Sequence, residues 1–187
     1  MRVLVACEFS GAVRRAFAEL GHDAWSCDLL PAEDGSPKHY QADVTELNGL
    51  LDFDLIVAHP PCRFLSKAGS RWWPERQQEQ TQAAEFVLWL ADLQVPRIGI
   101  ENPVGRLSTV WRKPDQIIHP WMFGDPYMKE TCLWLKGLPK LEPTQVVDRR
   151  ESWITKVPPG KDRWKVRSRT FPGIARAMAH QWGAAQT

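Results

Sequence analysis

Along the first hundred residues, short unbroken apolar runs alternate with longer stretches in which apolar side chains recur every three or four positions. Residues 2–7 (RVLVAC) form a β-branched run closed by Glu8, Ser10 and Gly11, the pattern of a strand buried in a parallel sheet. Residues 11–20 place Val13, Ala16, Phe17 and Leu20 on one helical face, with Gly21 where a C-terminal cap belongs. Residues 23–29 predict a second strand, broken by Pro31, Gly35 and Pro37, and residues 43–51 a short helix or irregular chain. Residues 54–58 (DLIVA) predict another strand, closed by His59, Pro60 and Pro61. From 75 to 93, Ala83, Phe86, Val87 and Leu90 recur at helical spacing; residues 97–100 (RIGI) then predict a strand ended by Glu101, Asn102 and Pro103. This alternation predicts an α/β fold with a mostly parallel sheet and helices on both faces.

Beyond about residue 105 the rhythm changes, because Pro114, Pro120, Pro126, Pro139, Pro143, Pro158 and Pro159 interrupt the chain. Only residues 131–135 (TCLWL) predict a firm strand there, and residues 172–182 predict an amphipathic helix that begins with proline. The expected organisation is one compact domain: a core over residues 1–105, a small basic Trp- and Pro-rich elaboration over 106–170, and a C-terminal helical segment over 171–187 returning to the core.

Composition narrows the class. The 187 residues give room for one ordinary domain, and 43% hydrophobic with 25% charged residues excludes a disordered chain. No apolar run reaches the roughly 18–20 residues of a membrane-spanning helix, and the start, MRVLVACEFS, lacks the form of a signal peptide. Cys7, Cys27, Cys62 and Cys132 are scattered with no CxxC pair, which argues against a disulfide framework or metal site and for a reducing, cytoplasmic setting. The net charge of +2 conceals a split: residues 1–110 carry 10 basic and 15 acidic side chains, residues 111–187 carry 14 and 7. A polyanionic partner is expected for the basic half.

In a doubly wound sheet, ligands bind beyond the carboxyl ends of the strands. Those ends carry Glu8, Phe9, Ser10 and Gly11; Asp28; Asp43; Pro60, Pro61 and Cys62; and Glu101 with Asn102. Singly, most are ordinary. The first turn lacks a GxGxxG pattern, and an Asp after a strand serves as a helix cap as readily as a ribose ligand. Cys62 differs, because it follows two prolines in a stiff loop with Arg63 and Lys67 nearby, and cations favour the nucleophilic thiolate.

HPPC at 59–62 followed by ENP at 101–103 resembles the PC and EN motifs of cytosine-C5 DNA methyltransferases, and the chain is similar to the small, phage-type members of that family. The resemblance covers residues 1–105 and the final helix, where Arg169 to Ile174 is similar to the family's last motif; it is loose between them. It implies a Rossmann-like class I fold that depends on S-adenosylmethionine. Cofactor contacts would come from Glu8, Phe9, Ser10, Gly11, Asp28, Leu29, Asp43, Val44 and Pro60: Asp28 on the ribose hydroxyls, Asp43 on the adenine amine, Phe9 on one adenine face. Cys62 would attack carbon 6 of cytosine, and Glu101, with Asn102, would meet N3 and the exocyclic amine. The family's paired arginines have no clear match; Lys129 and Thr131 occupy the comparable place, and Arg167 with Arg169 is a second possibility. The long target-recognition region is absent. DNA, a duplex with a flipped cytosine, is the implied partner, with Arg63, Lys67, Arg71, Trp72, Arg149, Arg150, Lys165, Arg167 and Arg169 as candidate contacts and Trp111, Trp153 and Trp164 as stacking candidates. The same chemistry on a free cytosine nucleotide, transfer of a different group from a related cofactor, and a non-catalytic DNA-binding domain stay open, as does the oligomeric state. Amine methyltransferases are disfavoured, since their double-proline loop continues with a stacking aromatic where this chain has Cys62.

Overall fold

The first apolar run does form a strand buried on both faces: Val3, Leu4, Val5 and Ala6 of β1 (Arg2–Ala6) are inaccessible to solvent. The computed structural model describes residues 1–184. After β1 the chain runs through α1 (Ala12–Glu19), β2 (Asp23–Asp28), β3 (His39–Gln41), β4 (Leu55–Ala58), α2 (Gln77–Asp92), β5 (Arg97–Pro103) and α3 (Leu107–Val110). There follow β6 (Gln116–Ile118), β7 (Tyr127–Met128), β8 (Thr131–Lys136), β9 (Glu151–Ser152), α4 (Trp153–Lys156), α5 (Arg163–Ser168) and α6 (Pro172–Gly183). Of the expected C-terminal segment, residues 185–187 lie outside the described residues.

Among the described residues, seven strands form one sheet in the order β3-β2-β1-β4-β5-β8-β6. The first five are mutually parallel, and β8 is inserted antiparallel between β5 and β6. Alternation along the central strands feeds two cores. Val3, Val5, Leu55 and Val57 pack with Val13 and Phe17 of α1 and with Ile174 and Met178 of α6. Leu4, Ala6, Ile56, Ala58, Ile98 and Ile100 pack on the other face with Val87 and Leu90 of α2. Each of the larger side chains among them contributes about 1.5–3 kcal/mol by leaving water, so the two-faced central strands anchor the strand ends that carry the polar residues.

The structure departs from the sequence expectation at the end of β5. Glu101, Asn102 and Pro103 do not end the strand; they continue β5, paired with Leu133, Cys132 and Thr131 of β8. An antiparallel neighbour extends the pairing, and proline is accommodated at the strand's end. Residues 43–51 form two 3₁₀ turns, Val44–Glu46 and Leu50–Asp52, separated by Gly49 in the left-handed region. Within 106–170, β6 and β8 belong to the main sheet. No helix of the described residues is long and apolar enough to cross a membrane.

Candidate active site

At the end of β1 the backbone turns left-handed at Cys7 (φ 59°) and again at Gly11 (φ 67°). The left-handed Cys7 costs about 1–2 kcal/mol, and the turn is held by Glu8. The buried Glu8 carboxylate accepts the N–H groups of Val13 (2.7 Å) and Arg14 (3.2 Å), satisfying donors that the start of α1 leaves open. Ser10 Oγ accepts from Ala12 N–H at 3.4 Å. A Cβ on Gly11 would lie 2.6 Å from Arg14 Nη2 and 2.9 Å from Arg15 Nη1, side-chain ends that could move aside, so it is the left-handed dihedral that calls for glycine. Phe9 is buried, with its ring 6.0 Å from that of the exposed Trp164 on α5.

Asp28 closes β2 and accepts the N–H of Leu30 at 2.9 Å; burial pushes its carboxyl up. Next to it, Leu29 is 69% exposed, an apolar side chain left open at a strand end. Asp43 is exposed and accepts from Thr45 N–H (2.9 Å) and Oγ1 (2.8 Å), while Val44 enters the core. Burial together with the Asp28, Cys27 and Asp43 charges drives the Cys7 thiol far upward, so these strand ends converge on one another.

The loop between β2 and β3 is latched by three arginines, a feature the sequence reading missed. Arg14 Nη2 (2.5 Å) and Arg15 Nη1 (2.6 Å) both reach Asp34 Oδ2. Arg169 donates to both oxygens of Glu33, at 3.1 and 2.7 Å, and Glu33 N–H donates to Phe9 O at 2.9 Å. Although partial burial works against it, the bonds from Arg15, Ser36 and Arg14 hold the Asp34 carboxyl below the usual range. Acidic residues at 33 and 34 with arginines one helix away were the available signal.

The second half of the site is built by β4 and β5. Cys62 is exposed and its carbonyl accepts the N–H groups of Leu65 (3.1 Å) and Ser66 (2.9 Å), folding the chain into a tight turn. Asn102 Nδ2 donates to Pro60 O at 2.8 Å from a buried position, which ties the double-proline loop to β5. Glu101 Oε2 lies 3.1 Å from Nδ1 of the buried His59. Against the effect of burial, the His59 hydrogen bond and the Lys129 charge hold the Glu101 carboxyl below the ordinary glutamate range. Crowding and the Glu101 charge push the Cys62 thiol up, while Lys129 and Arg167 pull it back. Lys129 Nζ donates to Arg167 O at 3.3 Å, and the buried Thr131 donates to Lys129 O at 3.3 Å. His59 belongs to the HPPC motif, but nothing in the sequence alone gives it a role, since its partner lies on the next strand.

The loop after Cys62 is pinned to the segment after β5. Lys67 N–H donates to Val104 O (3.0 Å) and Arg106 N–H to Leu65 O (2.8 Å), flanking a bridge between Ser66 and Gly105. A Cβ on Gly105 would sit 2.0 Å from Leu65 O. Gly105→Ala is therefore expected to force these segments apart and destabilise the protein by about 2–3 kcal/mol, read as a lower denaturant midpoint; an unchanged midpoint would show that the approach is not needed.

The candidate polyanion contacts divide into two groups. Arg149 pairs with Glu151, Lys165 with Asp162, and Arg169 with Glu33, while Arg150 lies 3.8 Å over the Trp121 ring. Arg63, Lys67 and Arg71 are exposed beside Cys62, with Trp72 44% exposed, and none of these three cations has an ion-pair partner among the described residues. Trp153 packs against Tyr127 and Phe171, and Trp111 stacks on Trp134, so both serve packing. No group of three His, Cys, Asp or Glu side chains among the described residues is placed to hold a metal ion.

No family model matches the chain, and no curated protein sequence matches it. Its structure is similar to that of a protein assigned as a DNA modification methyltransferase, encoded within an E. coli prophage: TM-score 0.52, 17% identity, 79% of this chain and 52% of that one. Weaker similarities include the S. pombe Dnmt2 methyltransferase (TM-score 0.49, 19% identity, 75% of this chain and 50% of that one). An rRNA methylase from Escherichia coli follows (TM-score 0.41, 14% identity, 72% and 55%). The chain spans about half the length of these structures. With five parallel strands, an antiparallel insertion before the edge and helices on both faces, the chain has the Rossmann-like fold of class I S-adenosylmethionine-dependent methyltransferases.

Proposed function

We propose that this protein methylates carbon 5 of cytosine in DNA, with S-adenosylmethionine as methyl donor and a covalent bond between Cys62 and carbon 6 of the base. The observation that carries the reading is the convergence of two groups from neighbouring strands: an exposed Cys62 thiol on the loop after β4, tied down by Asn102, and the largely buried Glu101 carboxylate on β5. Lys129 acts electrostatically on both.

The residue types answer the chemistry. Carbon 5 of cytosine is a poor nucleophile until something adds at carbon 6, and the electron density that this addition sends into the ring must be met at N3. Cys62 Sγ forms the bond to carbon 6. Glu101 accepts from the exocyclic amine and shares a proton with N3, taking up that proton as the base displaces water around it. Once carbon 5 carries the methyl group, loss of its proton to water restores the carbon 5–carbon 6 double bond and releases Sγ as thiolate. Lys129 provides a positive charge, and His59 a hydrogen bond, where the resembled family uses paired arginines.

The strand-end residues fit the donor. Asp28 and Asp43 offer acceptors for hydroxyl and amino groups, Leu29 and Phe9 offer apolar faces, and Glu8 shapes the turn from within α1. S-adenosylmethionine, when bound, supplies an electrophilic methyl group to carbon 5. The unpaired cations beside Cys62 suit a polyanion, and a duplex substrate would have to flip its cytosine out of the stack to reach the thiol. A reducing, cytoplasmic compartment suits this nucleophile.

Mass spectrometry of nucleosides from the DNA of cells expressing the protein is expected to show 5-methylcytosine. Oligonucleotides carrying 5-fluorocytosine are expected to trap a covalent complex at Cys62. A different added mass would change the transferred group, labelling of free dCMP alone would change the substrate, and DNA binding with no product would leave a non-catalytic domain.

A further inference from the structure

The reaction proposed above makes no use of an open cleft of about 630 Å³ between the Lys67–Glu75 turn, α2 and α3. Its lining includes Ser70, Trp73, Gln80, Thr81 and Arg106. Two donors in that lining, Trp73 Nε1 and Gln80 Nε2, have no acceptor. Gln80 is only 7% exposed, an unusual place for a polar side chain on a helix that also buries Val87 and Leu90. Shielded donors without partners are unfavourable and rare in folded proteins, which marks this wall as built for an acceptor that the protein does not itself provide. The cation beside them is Arg106, 5.9 Å over the Trp73 ring.

The cleft is fastened to the reaction site. Arg106 N–H donates to Leu65 O, and Leu65 N–H donates to the carbonyl of Cys62, so its rim is one hydrogen-bonded turn from the thiol. Along that rim runs a row of alternating cations and rings. Arg63 lies 5.3 Å over Phe64, Arg76 lies between Phe64 (5.8 Å) and Trp72 (6.0 Å), and Arg71 lies 4.9 Å over Trp72. None of Arg63, Lys67, Arg71, Arg76 and Arg106 has a carboxylate partner among the described residues, whereas Arg149, Lys156, Lys165 and Arg169 of the basic half all do. Interleaved cations and partly exposed rings form a surface suited to an unpaired nucleic-acid strand, with stacking for bases and charge for phosphates.

We infer that the cleft takes one unstacked base of the DNA strand, next to the target cytosine, and that guanine is the base it fits. Guanine presents O6 and N7 as adjacent acceptors for two donors at its edge, whereas adenine sets an amino donor beside N7. The inference rests on the DNA reading above and extends it: the protein reads a neighbouring base with the segment that follows its nucleophile.

The test is fluorescence anisotropy with end-labelled single strands that contain one cytosine and one guanine, placed on its 5′ or its 3′ side. In matched strands the guanine is replaced by 7-deazaguanine or adenine. At one of the two flanks the protein is expected to bind guanine about five- to tenfold more tightly than 7-deazaguanine. Gln80→Leu and Trp73→Phe are expected to bind both strands alike. Equal binding by the parent protein at both flanks overturns the inference, as does discrimination that survives in both variants. The guanine-to-7-deazaguanine comparison changes one ring atom of the ligand, so it stands even if a variant folds poorly. Cytosine modification without the discrimination removes this inference alone, and an absence of any DNA binding removes it together with the DNA reading.

Discussion

Cys62→Ala is expected to lower methyl transfer by about 10⁴-fold or more while leaving fold and DNA affinity close to those of the parent. The separation is possible because the loop is held by groups other than the thiol. Pro60 O accepts from Asn102, and the carbonyl of residue 62 accepts from Leu65 and Ser66, so alanine keeps every one of these bonds. The side chain is exposed, and truncating it should change stability by no more than about 0.5 kcal/mol. No other thiol is placed to take over: Cys27 and Cys132 are buried, with their thiols pushed up to about 11, and the Cys7 thiol is driven higher by burial and neighbouring carboxylates. In the parent, crowding of the thiol by surrounding protein atoms and the Glu101 charge raise the Cys62 thiol, so the rate of capture by 5-fluorocytosine DNA should climb as pH rises into the alkaline range. Lys129→Met removes a cation that opposes this and should move the climb to higher pH. Product formation by Cys62→Ala near the parent rate would remove the nucleophile assignment, and loss of DNA binding would show that the side chain supports the surface instead.

How far the sequence disclosed this arrangement depended on the kind of signal each element carries. β1 and β4 are continuous apolar runs because both of their faces are covered, and α2 shows helical spacing because one face is not. β3, with the sequence HYQ, has only three residues and no apolar alternation; it exists because β2 offers an edge. β6 is similarly short and takes its place from β8. Glu101 and Asn102 were legible as functional candidates, but their setting within a strand was not, since it comes from an antiparallel partner thirty residues further along. Charge counting pointed to the back half as the polyanion surface. Ion pairing shifts the weight forward, because several back-half cations have local carboxylates and the run from Arg63 to Arg76 does not. One of these pairings joins residues distant in sequence, Arg169 with Glu33, and composition does not register it. The same holds for His59, whose role depends on a carboxylate one strand over.

Glu101→Gln is expected to slow methyl transfer by about 10²–10⁴-fold with little change in DNA affinity. Glutamine keeps an acceptor for the exocyclic amine and a donor for N3, so the base can still be held, but it has no proton to share as negative charge builds in the ring. The loss should fall on kcat and spare KM. His59 acts on the same step through position. Its Nδ1 stands 3.1 Å from Glu101 Oε2, and the His59 Nε2 atom is buried without a partner. The charged and titratable groups around Glu101 are His59, Lys129 and, through their mutual influence, Cys62 and Cys132. His59→Ala should therefore raise the pH at which Glu101 takes up its proton and slow transfer by about ten- to a hundredfold, through loss of orientation. His59→Asn, which restores an N–H donor at the same reach, should return both toward the parent values. Because the folded protein holds Glu101 below its ordinary range, the stabilisation from this bond is present above the unfolded glutamate value and is lost as pH falls through the folded one. The gap in melting temperature between parent and His59→Ala should accordingly narrow on acidification. A rate unaffected in His59→Ala, or an Asn variant as slow as the Ala variant, would assign His59 to packing alone and leave Lys129 as the cation that governs Glu101.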